Sequence, residues 1–78
     1  MPQRSRAHAA LGRAIRDFRL ERRLSQEELA HRSGMHRTYL GGIERGERNP
    51  SYTNLRRLAN ALGVNASELI AQAERLER

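Results

Sequence analysis

Apolar residues recur along this chain at helical spacing almost from end to end. Leu11, Ile15 and Phe18 stand at i, i+4 and i+7, on one face of a first helix that runs to about Arg22. The polar stretch "RRLS" ends it. Ser25, with Glu28 three residues on, has the form of a capping box, and Leu29 and Ala30 give a short second helix its buried face. Gly34, after Ser33, suits the left-handed turn that closes a helix. A third helix starts near His36 or Arg37, with Tyr39, Leu40 and Ile43 as apolar positions and Gly46 as its stop. "ERNPS" reads as a loop, because Pro50 lets no helix through. Ser51 or Thr53 caps a fourth helix, in which Leu55, Leu58, Ala59 and Leu62 form an i, i+3, i+4, i+7 stripe ended by Gly63. A last helix, "SELIAQAERLER", starts within residues 65–67, with Glu68 near its electropositive end.

No alternating β pattern, repeat or low-complexity tract interrupts this series. The expected fold is all-α, a compact bundle of five short helices. Residues 1–6 are polar and patternless and are expected to form a flexible basic arm. Residues 7–78 then make a single domain whose last helix also serves dimerisation. At 78 residues the chain holds one small domain, which buries only about 60% of its unfolded surface. Hydrophobic content is 37% and aromatic content 4%, so the core is built mainly from Leu, Ile and Ala.

Several function classes drop out of the expectation. There is no cysteine for a disulfide or a thiolate metal site. His8, His31 and His36 lack the spacing of a metal cage, so no metal and no cofactor is expected. No Gly-rich phosphate loop or nucleophile–base arrangement suggests an enzyme. No apolar run approaches the ~20 residues of a membrane span. The start "MPQRSRAHAALG" lacks the apolar core of a secretion signal. Stability without disulfides is compatible with the cytoplasm, the expected location.

Charge adds a partner. The net charge is +6, from 15 Lys+Arg against 9 Asp+Glu, which suits a polyanion. The second and third helices are separated only by a short turn at Gly34, a helix-turn-helix spacing. His36, Arg37 and Thr38 crowd the first turn of the third helix, the end that reaches bases when such a helix enters a major groove. Arg37 can bond guanine O6 and N7 together, and Thr38 offers a hydroxyl and a methyl to base edges. Tyr39 can pack its ring beneath the helix and extend its hydroxyl to a phosphate. Gly41, four residues after Arg37, shares its face and leaves room for closer approach or a thymine methyl.

The stretch "LSQEELAHRSGMHRTYLGGIERGERNPSYTNLRRLANALGVNASELI" resembles the phage-repressor and Cro-like, or Xre-type, helix-turn-helix family. The landmarks are Ser25-Gln26 with Leu29-Ala30, Gly34, Ile43-Glu44-x-Gly46, Pro50, and Leu58-Ala59-x-Ala61-Leu62-Gly63-Val64. "HRTYLGGIERGERN" is also similar to the controller proteins of restriction–modification systems, which usually carry a larger residue, such as serine, at Gly41 or Gly42. The resemblance implies that Gln26 contacts a DNA phosphate. It implies that Arg45, Arg48, Asn49, Ser51 and Asn54, around the loop after the reading helix, grip phosphates. It also implies a partly buried structural ion pair between Arg19 and Glu44.

One short reading helix covers few base pairs, so two copies on a palindrome are expected. Leu69, Ala73 and Leu76 share a face of the last helix, with Ile70 beside them. Part of that face closes the core, and Ile70, Ala73 and Leu76 are the expected dimer contacts. The implied function is a homodimeric, sequence-specific regulator bound to double-stranded DNA, with no membrane partner and no small-molecule ligand. The competing class is an antitoxin or adaptor that keeps the fold but binds protein; an exposed apolar patch in place of the polar reading surface would distinguish it.

Overall fold

A computed structural model describes residues 5–78. Among them the chain forms five helices and no strand: α1 (Arg6–Glu21), α2 (Gln26–Ser33), α3 (Arg37–Glu44), α4 (Tyr52–Leu62) and α5 (Ala66–Glu77). Local chemistry explains most of the boundaries. Ser5 caps α1, its hydroxyl accepting from the N–H groups of Ala7 at 3.1 Å and His8 at 3.4 Å. Arg6 therefore opens the first helix with Ser5 as its cap, and the rest of the expected arm, residues 1–4, lies outside the described residues.

The capping box at α2 is reciprocal. Ser25 Oγ accepts from the Glu28 N–H at 3.0 Å, and Glu28 Oε1 accepts from the Ser25 N–H at 2.9 Å. Chiefly through the backbone bond from Ser25, and next through its hydroxyl, the Glu28 pKa is held below its ordinary value. At α4 the cap is Ser51, not Thr53: its Oγ accepts from the Asn54 N–H at 3.1 Å. At α5 Glu68 Oε1 accepts from the N–H of Asn65, the capping residue, at 3.2 Å.

The end of α1 departs from ordinary chemistry. Arg22 closes the helix, and Arg23 takes φ 56, the left-handed region, without being glycine. An L-residue there costs about 1–2 kcal/mol. The turn is held by bonds from the Arg23 N–H to the Leu20 carbonyl at 3.0 Å and from the Leu24 N–H to the Arg19 carbonyl at 3.1 Å. Its product is Leu24, which enters the core.

The core draws on every helix. Ile15, Leu29, Leu40, Ile43, Leu58 and Leu69 are its fully buried centre. Each such side chain contributes roughly 1.5–3 kcal/mol by burial. Phe18 packs at the rim, half-buried, with the Arg22 guanidinium 5.2 Å from its ring centre. A second cluster joins Ala10 and Ala14 of α1 to Ala73 of α5, with Leu11 and Leu76 packed against it.

Small residues let α1 and α3 approach closely. A Cβ on Gly12 would lie 2.3 Å from the Ile43 carbonyl oxygen. Gly46 follows α3 with φ 77, and a Cβ there would sit 2.8 Å from Ala9 Cα. The C-terminal end of α3 is thus fixed against the backbone of α1.

Candidate nucleic-acid interface

The turn between α2 and α3 is short and closed. Gly34 has φ 71, and the Met35 N–H donates to the Ala30 carbonyl at 2.9 Å. Met35 packs onto the core. The chain enters α3 at His36, which is the capping residue by position but whose side chain makes no capping bond. The helix is divided along its length. His36, Arg37 and Thr38 are exposed, whereas every residue from Leu40 to Glu44 is buried.

The buried half is locked by a polar cluster. Arg19 Nε donates to Glu44 Oε2 at 2.8 Å and Arg19 Nη2 to Glu44 Oε1 at 3.0 Å. Arg19 Nη1 donates to the Leu24 carbonyl at 2.8 Å. Gln26 Nε2 donates to the same Glu44 Oε1 at 3.0 Å. The cluster therefore ties α1, α2 and α3 together. It also orients Gln26. A carboxylate only accepts, so the amide nitrogen must face Glu44, which turns Oε1 toward Gly41, 3.7 Å from where a Cβ on that glycine would stand.

Gly41 itself is buried, and it does not present an open gap. The Arg45 guanidinium lies over it, with Nη1 3.0 Å from the position of a Cβ. Gln26, Arg37, Thr38, Gly41 and Arg45 line a cleft of 200 Å³ beside the exposed turn. Arg45 is also paired with Glu47, Nε to Oε1, at 3.2 Å.

A second set of contacts joins α3 to the start of α4. Tyr39 packs its ring on the core, and its hydroxyl accepts from Asn54 Nδ2 at 3.3 Å. Asn54 Oδ1 accepts in turn from Arg57 Nη1 at 3.3 Å. Ser51 spends its hydroxyl on the α4 cap. Arg48 and Asn49 are exposed on the loop between the two helices. The sequence sets Arg57 toward bulk solvent, where it is exposed, and gives Tyr52 no role here. Arg57 is signalled by its i+3 spacing from Asn54. Tyr52 is 68% exposed, carries the Arg56 guanidinium 5.8 Å from its ring centre, and accepts from Arg56 Nη1 at 3.1 Å. That pair stands at i, i+4.

The expected dimer residues separate. Ala73 is 7% exposed and packs on Ala10 and Ala14 of its own chain. Leu76 is half-buried against the same cluster. Ala73 is thus an intramolecular contact, because α5 turns that face onto α1. Ile70, at 42% exposed, is left outward.

A family model described as helix-turn-helix matches residues 15–69 of the chain. The chain belongs to the helix-turn-helix family. Its relatives include the control protein C.SmaI of Serratia marcescens, 44% identical over 62 residues, a match covering 80% of this chain and 74% of that protein. The restriction–modification controller protein C.AhdI from Aeromonas hydrophila has a similar solved structure, with TM-score 0.77 and 46% identity over 78% of this chain and 92% of that one. The controller protein C.Esp1396I, solved as a tetramer in complex with its natural 35 base-pair operator, is similar with TM-score 0.84 and 30% identity, covering 94% and 96%. In helix-turn-helix terms α2 is the supporting helix and α3 the reading helix. No helix among the described residues is long and apolar enough to cross a membrane.

Proposed function

We propose that this chain is a sequence-specific DNA-binding transcriptional regulator, a homodimer that reads a palindromic operator through α3. The observation that carries the reading is the division of α3, whose buried half is clamped to α1 and α2 while Arg37 and Thr38 project from its free turn. Arg37 bonds a guanine edge with its planar fork, and Thr38 meets the neighbouring base. His36 stands beside them at the entry to the helix.

Phosphates are held from both sides of this turn. Tyr39 accepts from Asn54, so its own hydroxyl hydrogen remains to donate. Gln26 uses one amide hydrogen on Glu44 and keeps the other. Arg45 and Arg48 supply charge around the loop, Asn49 stands beside them, and the start of α4 between Ser51 and Asn54 offers the first-turn N–H groups of Tyr52 and Thr53, that of Asn54 being taken by the Ser51 cap. A reading helix of eight residues spans few base pairs, so two copies about one helical turn apart make up the site. Exposed Ile70 and half-buried Leu76 are the apolar side chains of α5 available to a second chain.

On this reading the protein is a regulator rather than an enzyme, and it works in the bacterial cytoplasm. The large apolar side chains left exposed, Leu20, Tyr52 and Ile70, lie on α1, α4 and α5, so the α3 surface offers no apolar patch to the protein partner of an adaptor. The test is selection of bound duplexes from a random DNA pool with the wild-type chain and with Arg37→Ala. The wild type should enrich a two-fold symmetric repeat. Arg37→Ala should lose ~1–3 kcal/mol of discrimination at one position of each half-site. A pool that stays random with the wild type overturns the proposal.

A further inference from the structure

Two adjacent glycines, Gly41 and Gly42, lie in the middle of α3, where glycine weakens a helix. Their surroundings differ. A Cβ on Gly41 would press on the far tip of the Arg45 side chain, which can swing aside by giving up its exposed pair with Glu47. A Cβ on Gly42 would lie 2.7 Å from Arg48 Cγ, 3.6 Å from its Cβ and 3.8 Å from its Cδ. The root of the arginine is laid across the glycine, not its end.

The backbone of Arg48 is tied to the same glycine. The Gly42 carbonyl accepts from the Glu47 N–H at 2.9 Å and from the Arg48 N–H at 3.2 Å. Gly42 therefore holds the loop through its carbonyl and seats the side chain through its missing Cβ. With the backbone held by these two bonds, the direct way to accommodate a side chain at position 42 is to rotate Arg48 about its first torsion. Staggered wells are well separated, so that rotation redirects the whole arginine rather than shifting it slightly.

We propose that Gly42 is a positioning residue for Arg48: the bare α-carbon is the seat across which the arginine stem lies, and it aims the guanidinium at a DNA phosphate. This rests on the reading of the α3 surface as a DNA interface. The pair works as one unit, although its members belong to a helix and a loop six residues apart.

The test uses the full chain and a random-sequence DNA duplex, with affinity followed as a function of salt. Arg48→Ala should reduce the slope of log affinity against log salt by about 0.9, one phosphate contact. Gly42→Ala should reduce it by the same amount, although alanine strengthens the helix. The double variant should bind no more weakly than Arg48→Ala alone, since the seat has no role once the arginine is gone. A wild-type slope in Gly42→Ala overturns the inference and leaves the DNA interface standing. So do additive losses in the double variant. If Gly42→Ala fails to fold, Arg48→Ala on top of it should restore folding, because the nearest atoms to the new Cβ all belong to Arg48; failure to restore it overturns the inference. A wild-type chain with no salt-dependent binding removes the interface and the inference together.

Discussion

Replacing Arg19 by methionine removes the cation from a pair that is almost dry. The two side chains are 9% and 3% exposed. The guanidinium gives two bonds to Glu44, at 2.8 Å and 3.0 Å, and one to the Leu24 carbonyl at 2.8 Å. After the substitution the Glu44 carboxylate stays buried with Gln26 as its donor, and the Leu24 carbonyl loses the guanidinium bond. Breaking one side of a desolvated pair costs about 3–5 kcal/mol. A chain of 78 residues has a total stability of roughly 4–12 kcal/mol on the usual per-residue scale. The variant is therefore expected near the edge of folding. A urea titration followed by far-ultraviolet circular dichroism measures the loss directly. Arg19→Met combined with Glu44→Leu should recover most of it, because an apolar replacement of both partners leaves no charge unpaired. A single-variant loss under about 1 kcal/mol, the size seen for wet surface pairs, would refute the argument from burial.

Three further outcomes follow from the same structure. The Glu28 pKa is lowered on folding, so its capping box contributes stability above the ordinary carboxylate value of about 4.3; that contribution is lost as pH falls through the lower folded value. Glu28→Gln should flatten this part of a stability-against-pH curve, and an unchanged curve would contradict the assignment. Gly12→Ala should destabilise by about 1–3 kcal/mol or more, read from the thermal midpoint, because its methyl meets the Ile43 carbonyl oxygen at 2.3 Å. Ile70→Asp should shift sedimentation toward monomer without loss of helical signal, whereas an undisturbed dimer would put the contact elsewhere.

How much of this was legible beforehand depended on distance along the chain. Ser25 and Glu28, or Leu55 to Leu62, interact within a turn or two, so spacing reveals them. Arg19 and Glu44 lie 25 residues apart, and only the family pattern pointed to their pairing. Ala73 and Ile70 could not be sorted by period, because neighbouring positions on α5 differ only in which one α1 covers. Arg23 carries no letter that announces a positive φ; Leu24 bonding back to Arg19 imposes it. Gly42 was unreadable as a seat because Arg48 reaches it only after the chain has left α3 and turned back.

The clamp between α1 and α3 has a mechanical consequence. With Gly12, Gly46 and Glu44 at one end and an unbonded His36 side chain at the other, α3 is a short cantilever built into the core. The first amide hydrogens of a helix have no partner inside it, and no His36 side chain supplies one here. Amide exchange should therefore rise steeply over the single turn from Leu40 to Arg37. Ordering on contact with a ligand is confined to that turn. The root of the beam is already rigid, so whatever grips its tip spends entropy on one turn of helix and inherits the alignment of the rest.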